Sequence, residues 1–161
     1  MVVSGLALGC DAAAHEGCLE ARGQTVAVLP GGIRRIYPPQ HHGLADRILK
    51  ASGCLLSEYP PDEPPQSCYF VERDRLQSGL SGALVVAETD IRGGAMHTAR
   101  FCRQEKKPLA CLDPGKKYAL NPMLQGNLKL IRRHQAVPLK GMRDLEIFLS
   151  KLSNHQGASA Q

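Results

Sequence analysis

Three glycine-bearing turns carry the chemistry of this sequence. Ser4-Gly5-Leu6-Ala7-Leu8-Gly9-Cys10-Asp11 follows Val2 and Val3, Pro30-Gly31-Gly32 follows the apolar run from Val26 to Leu29, and Glu88-Thr89-Asp90 leads from the run Leu84 to Ala87 into Gly93-Gly94. Each turn sits where a short apolar run hands over to a helical or polar stretch. Glycine lets the backbone approach a ligand closely, and the free N–H groups and positive dipole end of a following helix attract negative charge. The chemistry implied is binding of something phosphorylated. In a parallel sheet such turns emerge at the carboxyl edge of the strands, so the three are expected to line one crevice. Taken singly, each glycine is also explained by the tight turn alone.

The elements that must hold these turns alternate along the chain. Strands are expected at Val2 and Val3, Thr25 to Leu29, Cys54 to Ser57, Ala83 to Ala87 and Leu109 to Leu112. Between them lie helical patterns at 11–22, stopped by Gly23, at 41–52, stopped by Gly53, at about 69–78, and at 95–104, where Met96, Ala99 and Cys102 face a core. Tyr59-Pro60-Pro61-Asp62-Glu63-Pro64-Pro65 reads as a surface loop, because proline excludes a helix there. Beyond Pro114 the pattern weakens. Leu128 to Ile131 and Ala136 to Leu139 read as short extended pieces, and Met142, Leu145, Leu149 and Leu152 mark a last amphipathic helix. Residues 1–152 are expected to form one α/β domain, and Ser153 to Gln161 a disordered tail.

Composition narrows the classes. At 161 residues the chain can bury one core, and 43% hydrophobic against 22% charged residues excludes a disordered protein. A net charge of +5 favours an anionic partner over a cationic one. Six cysteines without a Cys-x-x-Cys pair exclude a zinc knuckle and a thioredoxin-type motif, and Cys54 and Cys111 are expected in the core. They read as free thiols of a reducing cytoplasm, and no apolar run approaches the roughly 20 residues of a membrane span. His41-His42 and His97 lack companions at metal-ligand spacing, so neither a metal nor a cofactor is expected.

Five strings in one collinear order give the chain a resemblance to a known family. They are Val2 to His15, Ile36-Tyr37-Pro38-Pro39, Ser57-Glu58-Tyr59-Pro60-Pro61, Phe70 to Ser81, and Gly93-Gly94-Ala95-Met96-His97-Thr98-Ala99-Arg100. The chain resembles the DNA-processing protein A (DprA, also called Smf) family over roughly residues 2–149. The resemblance implies a Rossmann-like three-layer α/β/α fold with a mostly parallel sheet. It also implies a non-catalytic, homodimeric protein that binds single-stranded DNA without sequence preference and helps load a RecA-type recombinase during recombination or natural transformation. The family's arginine-rich helix start falls on Phe70-Val71-Glu72-Arg73-Asp74-Arg75, with Glu72 and Asp74 placing new negative charge where phosphates should lie. Its Ser-Gly-Ser-x-x-Thr turn falls on Gly93 to Thr98, without the serine hydroxyls. Arg34 and Arg35 after Gly32 restore positive charge. The phosphate-binding residues so implied are Ser4, Gly5, Gly31, Gly32, Arg34, Phe70, Arg73, Arg75, Gly93, Gly94 and Thr98.

Family members carry an earlier strand with a Gly-Ser-Arg turn, and often flanking helical domains, which are expected to be missing before Val2 and after the α/β region here. A sheet left open in this way points either to an incomplete reading frame or to a homo-oligomer in which another protomer covers the edge, and the homo-oligomer is the reading taken. Two other functions remain open. One is a nucleotide-sensing module using the same crevice. The other is a Lonely-Guy-like nucleotide phosphoribohydrolase, whose Pro-Gly-Gly-x-Gly-Thr-x-x-Glu motif begins at Pro30-Gly31-Gly32 but lacks its glutamate, leaving Glu58, Glu88 or Asp90 as substitutes.

Overall fold

A computed structural model describes residues 1–157, which fold as two compact units, Met1–Ser81 and the remainder from Gly82. The first unit contains β1 (Val2–Ser4), α1 (Cys10–Glu20), β2 (Thr25–Val28), α2 (His42–Lys50), β3 (Cys54–Leu56) and α3 (Ser67–Gly79). Its strands are parallel in the order β1-β2-β3, with Val3 opposite Val26 and Ala27 opposite Leu55. Parallel neighbours need a crossover connection, and α1 and α2 supply it. Leu44, Ala45 and Ile48 form the buried stripe of α2 and meet Leu6, Ala27 and Leu29, with Ala12 and Leu19 of α1 against them.

The second unit repeats the plan with β4 (Leu84–Val86), α4 (Ala95–Gln104), β5 (Leu109–Leu112), α5 (Gln125–Arg132), β6 (Val137–Leu139) and α6 (Met142–Gly157). Its parallel order is β4-β5-β6. Ala99 and Cys102 of α4 and Leu130 of α5 close over Val86, Leu109 and Cys111, while Phe148 of α6 packs on Ala110 and Leu139. The α/β reading of the sequence, with parallel strands joined by helices, holds in both units.

Several local expectations are corrected. Residues 128–131 are helical, inside α5, because Leu130 and the buried Gly126 and Asn127 line one helix face. So short an apolar run has no periodicity that separates helix from strand. Cys54 is exposed, at the start of the edge strand β3, whereas Cys111 is buried as expected. Val85, in the apolar run expected as a strand at Ala83 to Ala87, is 43% exposed on the edge strand β4. Helix α6 continues to Gly157, past the expected tail start at Ser153, and residues 158–161 of that tail lie outside the described residues.

The helix stops also shift by one residue. Arg22 and Ser52 take the left-handed conformation (φ 55° and 59°), and the following Gly23 and Gly53 donate to the carbonyls of Cys18 and Ile48. This is a six-residue helix closure in which the glycine comes second. At Gly53 the reason is space, since a Cβ would stand 2.8 Å from the Ile48 carbonyl oxygen.

His15 is fully buried on α1, its Nδ1 2.7 Å from Thr25 Oγ1, while that hydroxyl donates to the Val2 carbonyl at 2.9 Å. The hydroxyl proton is therefore committed, so Nδ1 must carry its own proton and donate. Nε2 is buried without a partner among the described residues. Burial is the main cause holding the His15 pKa below 6.5, with Asp11 opposing and His41 and Arg73 reinforcing. The unfolded chain thus binds the proton more tightly, so His15's contribution is complete above about pH 6.5 and declines as pH falls below it. Urea midpoints measured at pH 7.5 and pH 5.5 should fall in acid, and His15→Gln should shrink that fall.

Candidate nucleic-acid interface

The first turn is filled by the protein's own charges. Asp11, in the opening turn of α1, accepts hydrogen bonds from Ser4 Oγ at 2.6 Å and from the Ala7 N–H at 3.0 Å. The anion expected to dock here is therefore a side chain of the same helix. Leu6 takes the left-handed conformation (φ 63°) at the bend, and His41 Nδ1 lies 2.7 Å from its carbonyl oxygen. Gly5 is needed because the Arg73 guanidinium lies over it, in the space a Cβ would occupy.

Arg73 is the largest correction to the site. Its position on α3 suggested a surface arginine, yet it is only 5% exposed. Nη1 donates to the Val28 carbonyl at the end of β2 at 2.9 Å, and Nε lies 3.5 Å from the equally buried Asp74 carboxylate. Burial lowers the Arg73 pKa while Asp74 and Asp11 raise it, and a guanidinium remains charged regardless. Asp74 accordingly adds no negative charge to the surface. Glu72 does face outward, accepting from the Tyr59 hydroxyl at 2.9 Å.

At the second turn the close approach allowed by glycine is made by the chain itself. The Gly32 N–H donates to the Glu63 carbonyl at 2.8 Å, and the Arg34 N–H to the Pro61 carbonyl at 2.9 Å. The proline-rich loop thus seats on Gly31 and Gly32, both buried, and a Cβ at Gly32 would overlap the Pro60 and Pro61 carbonyls. Ile33, Arg34, Arg35 and Tyr37 remain outward. Arg34 pairs with Asp62 at 3.0 Å, both side chains well exposed, and Arg75 pairs with Glu58. Exposed pairs of this kind contribute little and exchange readily for a phosphate.

Aromatic rings gather beside these arginines. Phe70 at the start of α3 meets Tyr37 edge to face, with centroids 5.6 Å apart, and Tyr59 stacks on Tyr69 at 3.9 Å. Burial and the hydrogen bond to Glu72 push the Tyr59 hydroxyl pKa well up, so it is a neutral donor at all ordinary pH. Three of the chain's four tyrosines and one of its three phenylalanines therefore lie around one arginine-bearing turn. The spacing of these aromatics along the chain carries no sign of this, because the ring pairs join residues from the loops after β2 and β3 to α3.

The third turn belongs to the second unit. Gly93 is needed there, since a Cβ would meet Thr89 Oγ1 at 2.5 Å, whereas Gly94 is exposed with open space around it. Thr98, expected on the binding surface, is buried. Asp90 accepts from the Arg92 N–H at 2.6 Å, so this candidate carboxylate holds the loop. The residue that organises the turn is Asn127, which the sequence did not single out. Fully buried, it accepts from the Thr89 N–H at 2.9 Å and donates to the carbonyls of Ala87 and Leu112, both at 3.0 Å.

The structure thus brings Ser4, Gly5 and Arg73 together as internal supports. Arg34, Phe70 and Arg75, with Gly31 and Gly32 beneath Arg34, lie around the second turn, and Gly93, Gly94 and Thr98 belong to the other unit. Among the described residues no cluster of His, Cys, Asp or Glu is placed to hold a metal ion, and no helix is long and apolar enough to cross a membrane.

The chain is similar to known proteins in sequence and in fold. It is 45% identical over 103 residues to Protein Smf of Synechocystis, an overlap of 64% of this chain and 26% of that protein. It is 35% identical over 133 residues to DNA processing protein DprA of Bacillus subtilis, covering 83% of this chain and 43% of the relative. The chain thus spans between a quarter and a half of the length of these relatives. Among solved structures, DNA processing protein A of Streptococcus pneumoniae superposes with a TM-score of 0.79 at 32% identity, over 90% of this chain and 50% of that one. DNA processing protein A of Helicobacter pylori, described for its single-stranded DNA binding mode, superposes with a TM-score of 0.80 at 32% identity, over 94% and 66%. These matches bear out the Rossmann-like α/β fold. With the family profile matching residues 1–150, the chain belongs to the DNA recombination-mediator protein A family.

Proposed function

We propose that this protein binds single-stranded DNA without sequence preference, in recombination and DNA uptake, and acts by binding rather than by catalysis. The observation that carries the reading is the exposed Arg34 and Arg35 beside the Tyr37–Phe70 ring pair, on a chain whose family and structural relatives process DNA. Single strands are held by cations that follow the phosphates and by rings that stack on bases. Phe70 is the stacking platform, Arg34, Arg35 and Arg75 meet phosphates, and Ser4, Gly5, Gly31, Gly32 and Arg73 shape the turns behind them. Gly93, Gly94 and Thr98 form the corresponding turn of the second unit, and residues 1–152 act as one domain. Against a hydrolase, Glu58 is paired with Arg75 and Asp90 with its own loop.

Loading of a RecA-type recombinase, a homodimer and a cytoplasmic setting complete the proposal. Self-association is supported by Met142, Ile147 and Leu149, all exposed on α6. The test is binding to labelled oligothymidine at two salt concentrations, beside Phe70→Leu, which keeps bulk but loses the π face. Loss of one stacked base lowers affinity by about 1–3 kcal/mol, roughly 5- to 150-fold, with the salt dependence unchanged. Equal affinity in Phe70→Leu would remove the platform from the site. Saturation by a mononucleotide without dependence on strand length would favour the nucleotide-sensing reading instead.

A further inference from the structure

The positive charge of the chain is not where the family resemblance places the DNA-binding arginines. The first unit carries seven Lys and Arg against nine Asp and Glu, a net of −2, while the sequence from Gly82 carries thirteen against six, a net of +7. Much of that excess lines one groove of about 450 Å3 in the second unit. One wall is α4 and the turn before it, with Arg92, Arg100 and Arg103. The other is α5 and its end, with Lys129 and Arg133. Its floor includes Ala99 and Leu130, the same residues that seal the core below.

Spacing along each wall aims these cations together. Arg100 and Arg103 are three apart on α4, and Lys129 of α5 and Arg133, just past its end, are four apart with the Arg133 N–H donating to the Lys129 carbonyl, so each pair shares a helix face. No Asp or Glu lines the groove, and among the described residues none of the five forms an ion pair. A surface kept soluble by mixed charge pairs its cations with carboxylates, as Arg34, Arg47 and Arg75 do in the first unit. Five like charges held around one concavity repel one another, and an anion in the groove relieves that repulsion.

We propose that this groove between α4 and α5 is a second phosphate-binding site, one that takes the sugar-phosphate backbone of a single strand. The inference rests on the single-stranded DNA reading given above, and extends it to cations that reading does not use. Phosphates carry the recognition. No Phe or Tyr ring lines the groove to stack a base, and beside the five cations its polar side chains are His97 and Gln135. The cations are ranged along both walls, which suits a passing chain of phosphates better than a single nucleotide.

The experiment measures oligothymidine affinity of the full chain between about 50 and 200 mM salt, with short and long strands, beside Arg103→Gln plus Arg133→Gln. Both side chains are exposed, so the thermal midpoint should hold, which is checked first. Losing two phosphate contacts lowers the salt slope for a single strand by about 1.4, so wild-type affinity should fall about sevenfold more than the variant's across that range. Arg34→Ala plus Arg35→Ala, in the first unit, serves as the separate probe of the proposed first site. If the wild type binds and the groove variant keeps the full salt slope, the second site is overturned while the function stands. If the wild type binds no strand at low salt, both fall. A parallel titration with inorganic phosphate and thymidine monophosphate distinguishes the remaining source. Tight, length-independent binding that the groove variant loses would assign the groove to a free phosphorylated ligand and overturn the strand.

Discussion

Arg73→Ala should lower the unfolding free energy by about 3–5 kcal/mol, while Arg75→Ala two residues away should change it by less than about 0.5 kcal/mol. Both lie on α3 in a motif read as phosphate-binding, and the difference comes from burial. Arg73 is 5% exposed, donates to the Val28 carbonyl and stands beside the buried Asp74 carboxylate. Its removal takes the cation from beside the buried Asp74 carboxylate, and breaking a buried pair by deleting one partner costs more than the pair contributed. It also empties the space over Gly5, loosening the first turn. Arg75, half exposed with its partner Glu58, can be hydrated in place. With typical domain stabilities of about 5–15 kcal/mol, an effect of this size removes a large share of the total. Urea denaturation of the two variants checks it, and equal midpoints would show that Arg73 is not structural. A loss of DNA binding in Arg73→Ala would therefore report misfolding unless the folded fraction is measured alongside.

Asn127→Leu should cost about 3 kcal/mol or more, because one side chain satisfies three backbone groups at the ends of β4 and β5. Each buried group left without a partner costs about 1–3 kcal/mol, less where water can reach it. Asn127→Asp separates hydrogen bonding from volume. The shape is kept and one oxygen still accepts from the Thr89 N–H, but the other faces the Ala87 and Leu112 carbonyls without a proton to give. A volume effect would leave Asp close to wild type. The hydrogen-bond account makes it at least as damaging as Leu near neutral pH, with partial recovery in acid, when a protonated carboxyl can donate to one of the carbonyls. Thermal midpoints at two pH values decide between them.

Both effects concern residues whose meaning was hidden in the sequence in different ways. Arg73 was visible as part of an arginine-rich motif but with the wrong surroundings, since its acceptor Val28 lies 45 residues away. Asn127 was not visible at all. It sits in a stretch read as near the start of an extended piece, and its partners lie 38, 40 and 15 residues distant. The three glycine turns were placed correctly after β1, β2 and β4, yet two of them are filled from within, by Asp11 and by the proline-rich loop. Sequence windows report what a turn can accommodate. They do not report which segment of the chain arrives there first.

By itself the sequence determined the alternation of parallel strands and helices, the positions of nearly all of them, and the family, because these rest on local periodicity, turn residues and contiguous strings. The tertiary structure alone decided that Arg73 is an internal support, that Phe70 stands with Tyr37 beside Arg34 and Arg35, and that the excess positive charge faces a groove between α4 and α5. The reason is physical. Burial and charge pairing depend on neighbours that folding brings from tens of residues away, and a side chain's role changes with whether water or a carbonyl meets it there.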